Sequence, residues 1–150
     1  MNDNIPRTPQ VLGAAGLVPF VALALMLWAL PVGYSDTAVK WLLGYSAIIL
    51  SFVGALHWGV ALVHPEMGHT ERGLLMGWSV VPALVAWIAL ALPPLAGMLV
   101  MLLMFIVQLV ADHVLVRHFP VTPWFLRLRQ RLTVVVVVCL AFAAAYLAGN

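Results

Sequence analysis

Charge is scarce in this sequence. Of its 150 residues only 8% are charged, five acidic and seven basic, while 65% are hydrophobic. Soluble domains run to roughly a quarter charged and about half apolar residues. A small fold leaves much of its surface exposed, so a water-soluble form has nowhere to hide the apolar excess. Lipid must therefore be the solvent for most of the chain, in keeping with a mean hydropathy of +1.10. The formal net charge of +2 comes from few groups and gives no footprint for nucleic acid.

Cysteine is nearly absent. The one thiol, Cys139, excludes an internal disulfide and reads as a small apolar side chain within an apolar run. Also missing are a glycine-rich phosphate loop, a nucleophile elbow, a paired-acid constellation and an extramembrane catalytic domain. Ser46, Ser51 and Ser79 fall in apolar runs, where serine mostly bonds backbone or a neighbouring helix. These absences leave enzyme activity with little support.

Long apolar runs are what the chain has in quantity. Five of them, at about 9–30, 39–63, 73–92, 95–116 and 128–148, are separated by punctuation such as Pro31-Val32-Gly33, His64-Pro65 and Pro93-Pro94. About 20 residues at ~1.5 Å each span a hydrocarbon core of ~30 Å. A backbone in lipid must satisfy its own hydrogen bonds, so the runs are predicted to be helices. The expected fold class is all-α, a polytopic bundle of five transmembrane helices in a single domain over 1–150. The first run is longer than a signal-peptide core and only Arg7 precedes it, so it is read as a helix. Met1-Asn2-Asp3-Asn4 lacks the arginine-rich pattern of a transit peptide, which favours a bacterial inner membrane.

Arginine placement orients the bundle. Arg7, Arg72, Arg117, Arg127, Arg129 and Arg131 fall at one end and Lys40 at the other. Positive charge is retained inside, so the N-terminus is expected to be cytoplasmic and the C-terminus periplasmic. The stretch 118–131, with Pro120, Pro123, Trp124 and Phe125, reads as an interfacial foot. Trp41 and Tyr34 suit the opposite interface.

Small residues predict close packing. Ala47, Ser51, Ala55 and Gly59 recur every four residues in the second run, and Ala141, Ala145 and Gly149 repeat the device in the fifth. Pro19 and Pro82 are expected to kink the first and third helices. The matched spacings Pro19–Pro31 and Pro82–Pro94 hint at related hairpins.

Ionisable groups within a membrane are costly and usually face the bundle interior. His57, Gln108 and Asp112 map to similar depth near the arginine-rich end, with Trp58, Trp78 and Ser79 beside them. Arg127, Arg129 and Arg131 approach from the foot of the fifth helix. The candidate ligand-binding set is His57, Trp58, Trp78, Gln108, Asp112, Arg127 and Arg131. One reading makes these residues structural ties between helices. The other makes them a pocket for a polar headgroup whose apolar tail lies between helices. The five histidines, His57, His64, His69, His113 and His118, include no i, i+4 pair of the kind that aims two imidazoles at one metal. No metal site or cofactor is assigned.

Four stretches carry a resemblance over nearly the whole chain: LGAAGLVPF at 12–20, YSAIILSFVGALHWG at 45–59, GWSVVPALVAW at 77–87 and PWFLRLRQRLT at 123–133. They resemble the family called domain of unknown function 3429, which includes relatives of transmembrane protein 69. The resemblance implies a small polytopic inner-membrane protein and carries over no catalytic residue. It points to His57, Trp58 and the arginine foot as positions to test.

The preferred functional expectation is a non-enzymatic binding or accessory protein. It would hold an amphipathic, lipid-like small molecule, or a helix of a membrane protein partner, at the cytoplasmic leaflet among membrane lipids. One alternative is a small proton-coupled transporter or channel using His57 and Asp112. Another is a membrane enzyme acting on a lipid or quinone.

Overall fold

A computed structural model describes residues 5–29, 31–119 and 121–149. Leu30, Pro120 and Met1-Asn2-Asp3-Asn4 lie outside the described residues. The described chain forms five helices and no strand: α1 (Arg7–Ala29), α2 (Val32–Val63), α3 (His69–Leu90), α4 (Pro94–His118) and α5 (Trp124–Gly149). All five are long and apolar enough to cross a membrane.

All five helices begin earlier than hydropathy indicates, three of them by four residues or more. The second starts at Val32 rather than 39, the third at His69 rather than 73, and the fifth at Trp124 rather than 128. Apolar runs mark where lipid contact begins, whereas backbone chemistry marks where a helix begins. Pro31 and Pro123 immediately precede α2 and α5, at positions where a residue without a free N–H costs a helix nothing. At α3 the Glu71 carboxylate accepts the Gly68 N–H at 3.1 Å, which closes the first turn. Most of the expected interfacial foot is thus the first two turns of α5.

The helices form a ring. α3 packs on α2 and α4, α5 packs on α4 and α1, and α1 closes onto α2, while α2 and α4 also meet across the middle. The outer surface is apolar, with Trp87, Leu74 and Val63 facing outward, while His57, Gln108, Asp112, Arg129 and Thr133 are buried. Such an arrangement suits an apolar solvent and opposes an aqueous one. The apolar core is built from Phe20, Leu27, Leu42, Leu50, Met98, Met101, Phe105 and Leu140. Phe20 meets Tyr45 and Phe105 edge-on at 5.0 and 6.1 Å between ring centroids. The Tyr45 hydroxyl donates to Gly16 O at 2.9 Å and ties α2 to α1. At the opposite end Trp28 stacks on Phe142 and donates to its carbonyl.

Close packing follows the expected ladders only in part. In α2 Ala47 is buried in the core and Ser51 half-buried, whereas Ala55 and Gly59 are exposed, as are Ala141, Ala145 and Gly149 in α5. A Cβ added at Gly59 meets nothing within 4 Å, whereas one at Gly54 would lie 2.8 Å from Ser79 O and 2.9 Å from Pro82 Cγ. At Gly97 it would lie 2.5 Å from Ala89 O. The α2–α3 and α3–α4 seams therefore depend on Gly54 and Gly97. A four-residue repeat identifies one face of a helix without saying whether protein or lipid covers it. Pro19 and Pro82 are also not equivalent, since Pro82 is buried against Gly54 and Pro19 is half-buried.

Arg72 fastens the α2–α3 turn. Its guanidinium donates to Ala61 O, to His64 O at 3.1 Å and to Met67 O at 3.3 Å, covering carbonyls at the C-terminal end of α2. A cation there satisfies acceptors the helix cannot and complements its dipole.

Candidate functional site

Three helices bring polar side chains to one level. His57 lies six residues before the end of α2 at Val63, Asp112 six before the end of α4 at His118, and Arg129 five after the start of α5 at Trp124. At ~1.5 Å per residue each is about 8–9 Å in from the same end of the bundle. Gln108 stands one turn above Asp112 on the same face of α4.

These groups form a continuous chain of contacts. Arg129 Nε donates to Asp112 Oδ2 at 2.7 Å. Gln108 Nε2 donates to Asp112 Oδ1 at 3.2 Å and to His57 Nδ1 at 3.1 Å. With Nδ1 accepting, the neutral ring carries its proton on Nε2, which lies 3.6 Å from Asp112 Oδ1, longer than a hydrogen bond. His57 is 1% exposed, Gln108 and Asp112 are 0% and Arg129 is 7%. A buried carboxylate in a membrane interior is tolerable only with a counter-charge, and the Arg129 guanidinium supplies it.

The structure joins His57, Gln108 and Asp112 as expected, but the hydrogen bond to Asp112 belongs to Arg129, not to the Arg127 or Arg131 of the expected set. Arg131 is exposed and Arg127 half-buried. Two helical steps turn roughly 200°, so Arg129 projects from the face opposite to its two neighbours. Trp58 is also corrected. It is exposed at 44% and faces outward one step round from His57, and it lines neither the cleft between α3 and α4 nor the one between α1, α2 and α5. Trp78 is half-buried and does share a cleft with His57. Among residues the sequence did not single out, Thr133 is buried one turn beyond Arg129 on the same face of α5. The i, i+4 spacing of Arg129 and Thr133 was the only available signal.

Two of the remaining histidines bond elsewhere. His113 Nδ1 donates to Leu109 O at 2.7 Å and its Nε2 accepts from Gln130 at 2.9 Å, while His118 Nδ1 donates to Val114 O at 2.9 Å. The three serines bond backbone carbonyls three or four residues earlier in their own helices.

Two clefts reach the ends of the polar chain. One, about 470 Å³, lies between α3 and α4 and is lined by His57, Trp78, Val110 and Val114, with Glu71 and His118 also on its wall. The other, about 450 Å³, lies between α1, α2 and α5 over Phe105 and is lined by Arg129 and Thr133. Six buried side-chain polar atoms have no hydrogen-bond partner among the described residues: His57 Nε2 and Trp78 Nε1 beside the first cleft, Arg129 Nη2 and Thr133 Oγ1 beside the second, Gln108 Oε1 within the chain, and His64 Nδ1.

Five apolar spanning helices around an internal ion pair define a multi-pass helical membrane protein. The chain belongs to the family described as protein of unknown function (DUF3429), whose sequence model matches residues 5–145. It is also similar to transmembrane protein 69 of Xenopus tropicalis, with 36% identity over 137 residues, or 89% of this chain and 52% of that protein. The chain thus spans about half the length of this relative. No solved structure matches.

Proposed function

We propose that this protein is a non-enzymatic binding protein that holds a lipid-like small molecule inside its bundle. One observation carries the reading: a buried chain of hydrogen bonds ends on both sides in unspent polar atoms, and each end opens on an apolar cleft. Leaving a buried donor unsatisfied costs about 1–3 kcal/mol. A fold recovers that cost when a ligand supplies the acceptor, and apolar walls with a few convergent polar groups are the usual form of a small-molecule site. The Arg129–Asp112–Gln108–His57 chain runs across the bundle at one depth, which favours holding a molecule over moving protons between the two sides.

The membrane we assign is a bacterial inner membrane, with the N-terminus cytoplasmic and the C-terminus periplasmic. The support is the gathering of Arg7, Arg72, Arg117, Arg127, Arg129 and Arg131 at one end against Lys40 at the other. In that orientation the polar chain sits in the cytoplasmic leaflet.

Native mass spectrometry of the full chain released from detergent tests the reading. A lipid-like adduct on the wild type that weakens with Gln108→Leu, which interrupts the polar chain, supports it. A wild-type protein that carries no adduct under any extraction refutes it.

A further inference from the structure

The two clefts differ in what they ask of a ligand. In the α1–α2–α5 cleft the unspent atoms are a guanidinium Nη2 and a threonine Oγ1, on side chains of residues only 7% and 3% exposed. They stand one turn apart on α5 and face the same space. Both can donate, and a carbonyl oxygen has two lone pairs to receive them.

Charge narrows the chemistry further. The Asp112 carboxylate already takes Arg129 Nε at 2.7 Å, so the pair is neutral as a unit. A carboxylate or phosphate placed against Nη2 would add an uncompensated negative charge to a buried site, at a cost its hydrogen bonds must overcome. An ammonium would meet the like charge of the guanidinium, with only the threonine hydroxyl able to accept from it. A neutral acceptor adds no charge and fills both positions.

Shape gives the rest of the molecule. On α5 the lining runs from Trp124 to Val136, twelve residues or about 18 Å along the helix, and its volume is only about 450 Å³. That is a long, narrow slot whose other walls, Phe20, Phe52 and Leu56 among them, are apolar. Gly16 lines the slot, and a Cβ added there meets only the Tyr45 hydroxyl, at 3.9 Å, so a larger side chain has room at that position.

We infer that the α1–α2–α5 cleft binds a neutral carbonyl oxygen carried on a long apolar chain, held by Arg129 Nη2 and Thr133 Oγ1. The inference rests on the binding reading above and names the ligand class and the cleft. This chemistry is shared by the acyl ester of a glycerolipid and the ring of an isoprenoid quinone.

Two substitutions spare the ion pair. Thr133→Val removes the hydroxyl while keeping shape, and Gly16→Leu fills the slot without touching a polar atom of the site. The full chain is purified in mild detergent, its adduct is quantified by native mass spectrometry, and the extract is divided. Base hydrolysis releases a fatty acid from an ester, whereas a quinone shows a ring absorbance that changes on reduction. The expected result is roughly fivefold weaker retention with Thr133→Val, the size of one neutral hydrogen bond, and loss with Gly16→Leu, with either carbonyl source identified. An adduct that ignores both substitutions, or that is a free acid or a phosphate bound through its anion, overturns the inference and leaves the binding reading standing. An adduct-free wild type removes the binding reading and this inference with it.

Discussion

Arg129 Nε and Asp112 Oδ2 lie 2.7 Å apart, and their side chains are 8% and 0% exposed. Removing one partner leaves a charge buried without compensation. Asp112→Ala is therefore expected to destabilise the detergent-solubilised protein by about 3–5 kcal/mol. The double variant Asp112→Leu with Arg129→Met should recover most of that loss, because apolar replacements of a buried pair are often neutral. Thermal unfolding checks both, and a double variant as unstable as Asp112→Ala would rule out the unpaired charge as the cause.

Gly97 and Gly59 separate packing from lipid exposure. Gly97→Ala places a Cβ 2.5 Å from Ala89 O and forces the α3–α4 seam apart, at a cost of about 1–3 kcal/mol. Gly59→Ala meets nothing and should leave stability within ~0.5 kcal/mol of wild type. Unfolding midpoints of the two variants measure the contrast, and equal midpoints would contradict the seam.

The Arg72 cap should be visible locally. Arg72→Ala removes the donors to Ala61, His64 and Met67 and should speed amide hydrogen exchange over the last turn of α2. Global stability should fall by about 1–3 kcal/mol, since the lost bonds are charge-assisted. Arg72→Lys should restore only part, lacking the fork that reaches several carbonyls. Unchanged exchange in Arg72→Ala would show the carbonyls are satisfied without it.

Trp58 is an outward-facing residue and Trp78 a cleft residue. Trp58→Leu should therefore change unfolding by no more than ~0.5 kcal/mol, whereas Trp78→Leu should open the cleft beside His57 and cost more. Unfolding curves that rank the two the other way would reverse this assignment.

The proposed orientation predicts labelling. In a Cys139→Ser background, Leu92→Cys in the α3–α4 turn should react with a membrane-impermeant thiol reagent on intact cells. Thr122→Cys, between α4 and α5, should react only after permeabilisation. The opposite pattern would invert the bundle.

The architecture was legible because lipid imposes a single rule, that apolar length must match membrane thickness. The depth of His57, Gln108 and Asp112 was legible for the same reason, since a residue's distance from a helix end can be counted along the chain. Rotation around each helix axis was not. Every face of these helices is apolar, so hydropathy cannot tell the face against lipid from the face against protein. That is why Arg129, one of three foot arginines in the sequence, was left out of the binding set in favour of Arg127 and Arg131, why Trp58 was placed inward, and why the ladder through Ala55 and Gly59 was read as a seam. Thr133 was overlooked because a lone threonine in an apolar helix draws notice only once its neighbours are known.

Chain order gives the Asp112–Arg129 bond a consequence for biogenesis. The aspartate is synthesised 17 residues before its arginine. While α4 enters the bilayer its carboxyl lacks the Arg129 guanidinium, and an unpaired anion at that depth is expensive. The group must then stay near the headgroups or wait in the insertion machinery until α5 arrives. α5 thus acts as a lock on the nascent bundle, and a ribosome stalled before Arg129 would leave Asp112 of α4 without its guanidinium.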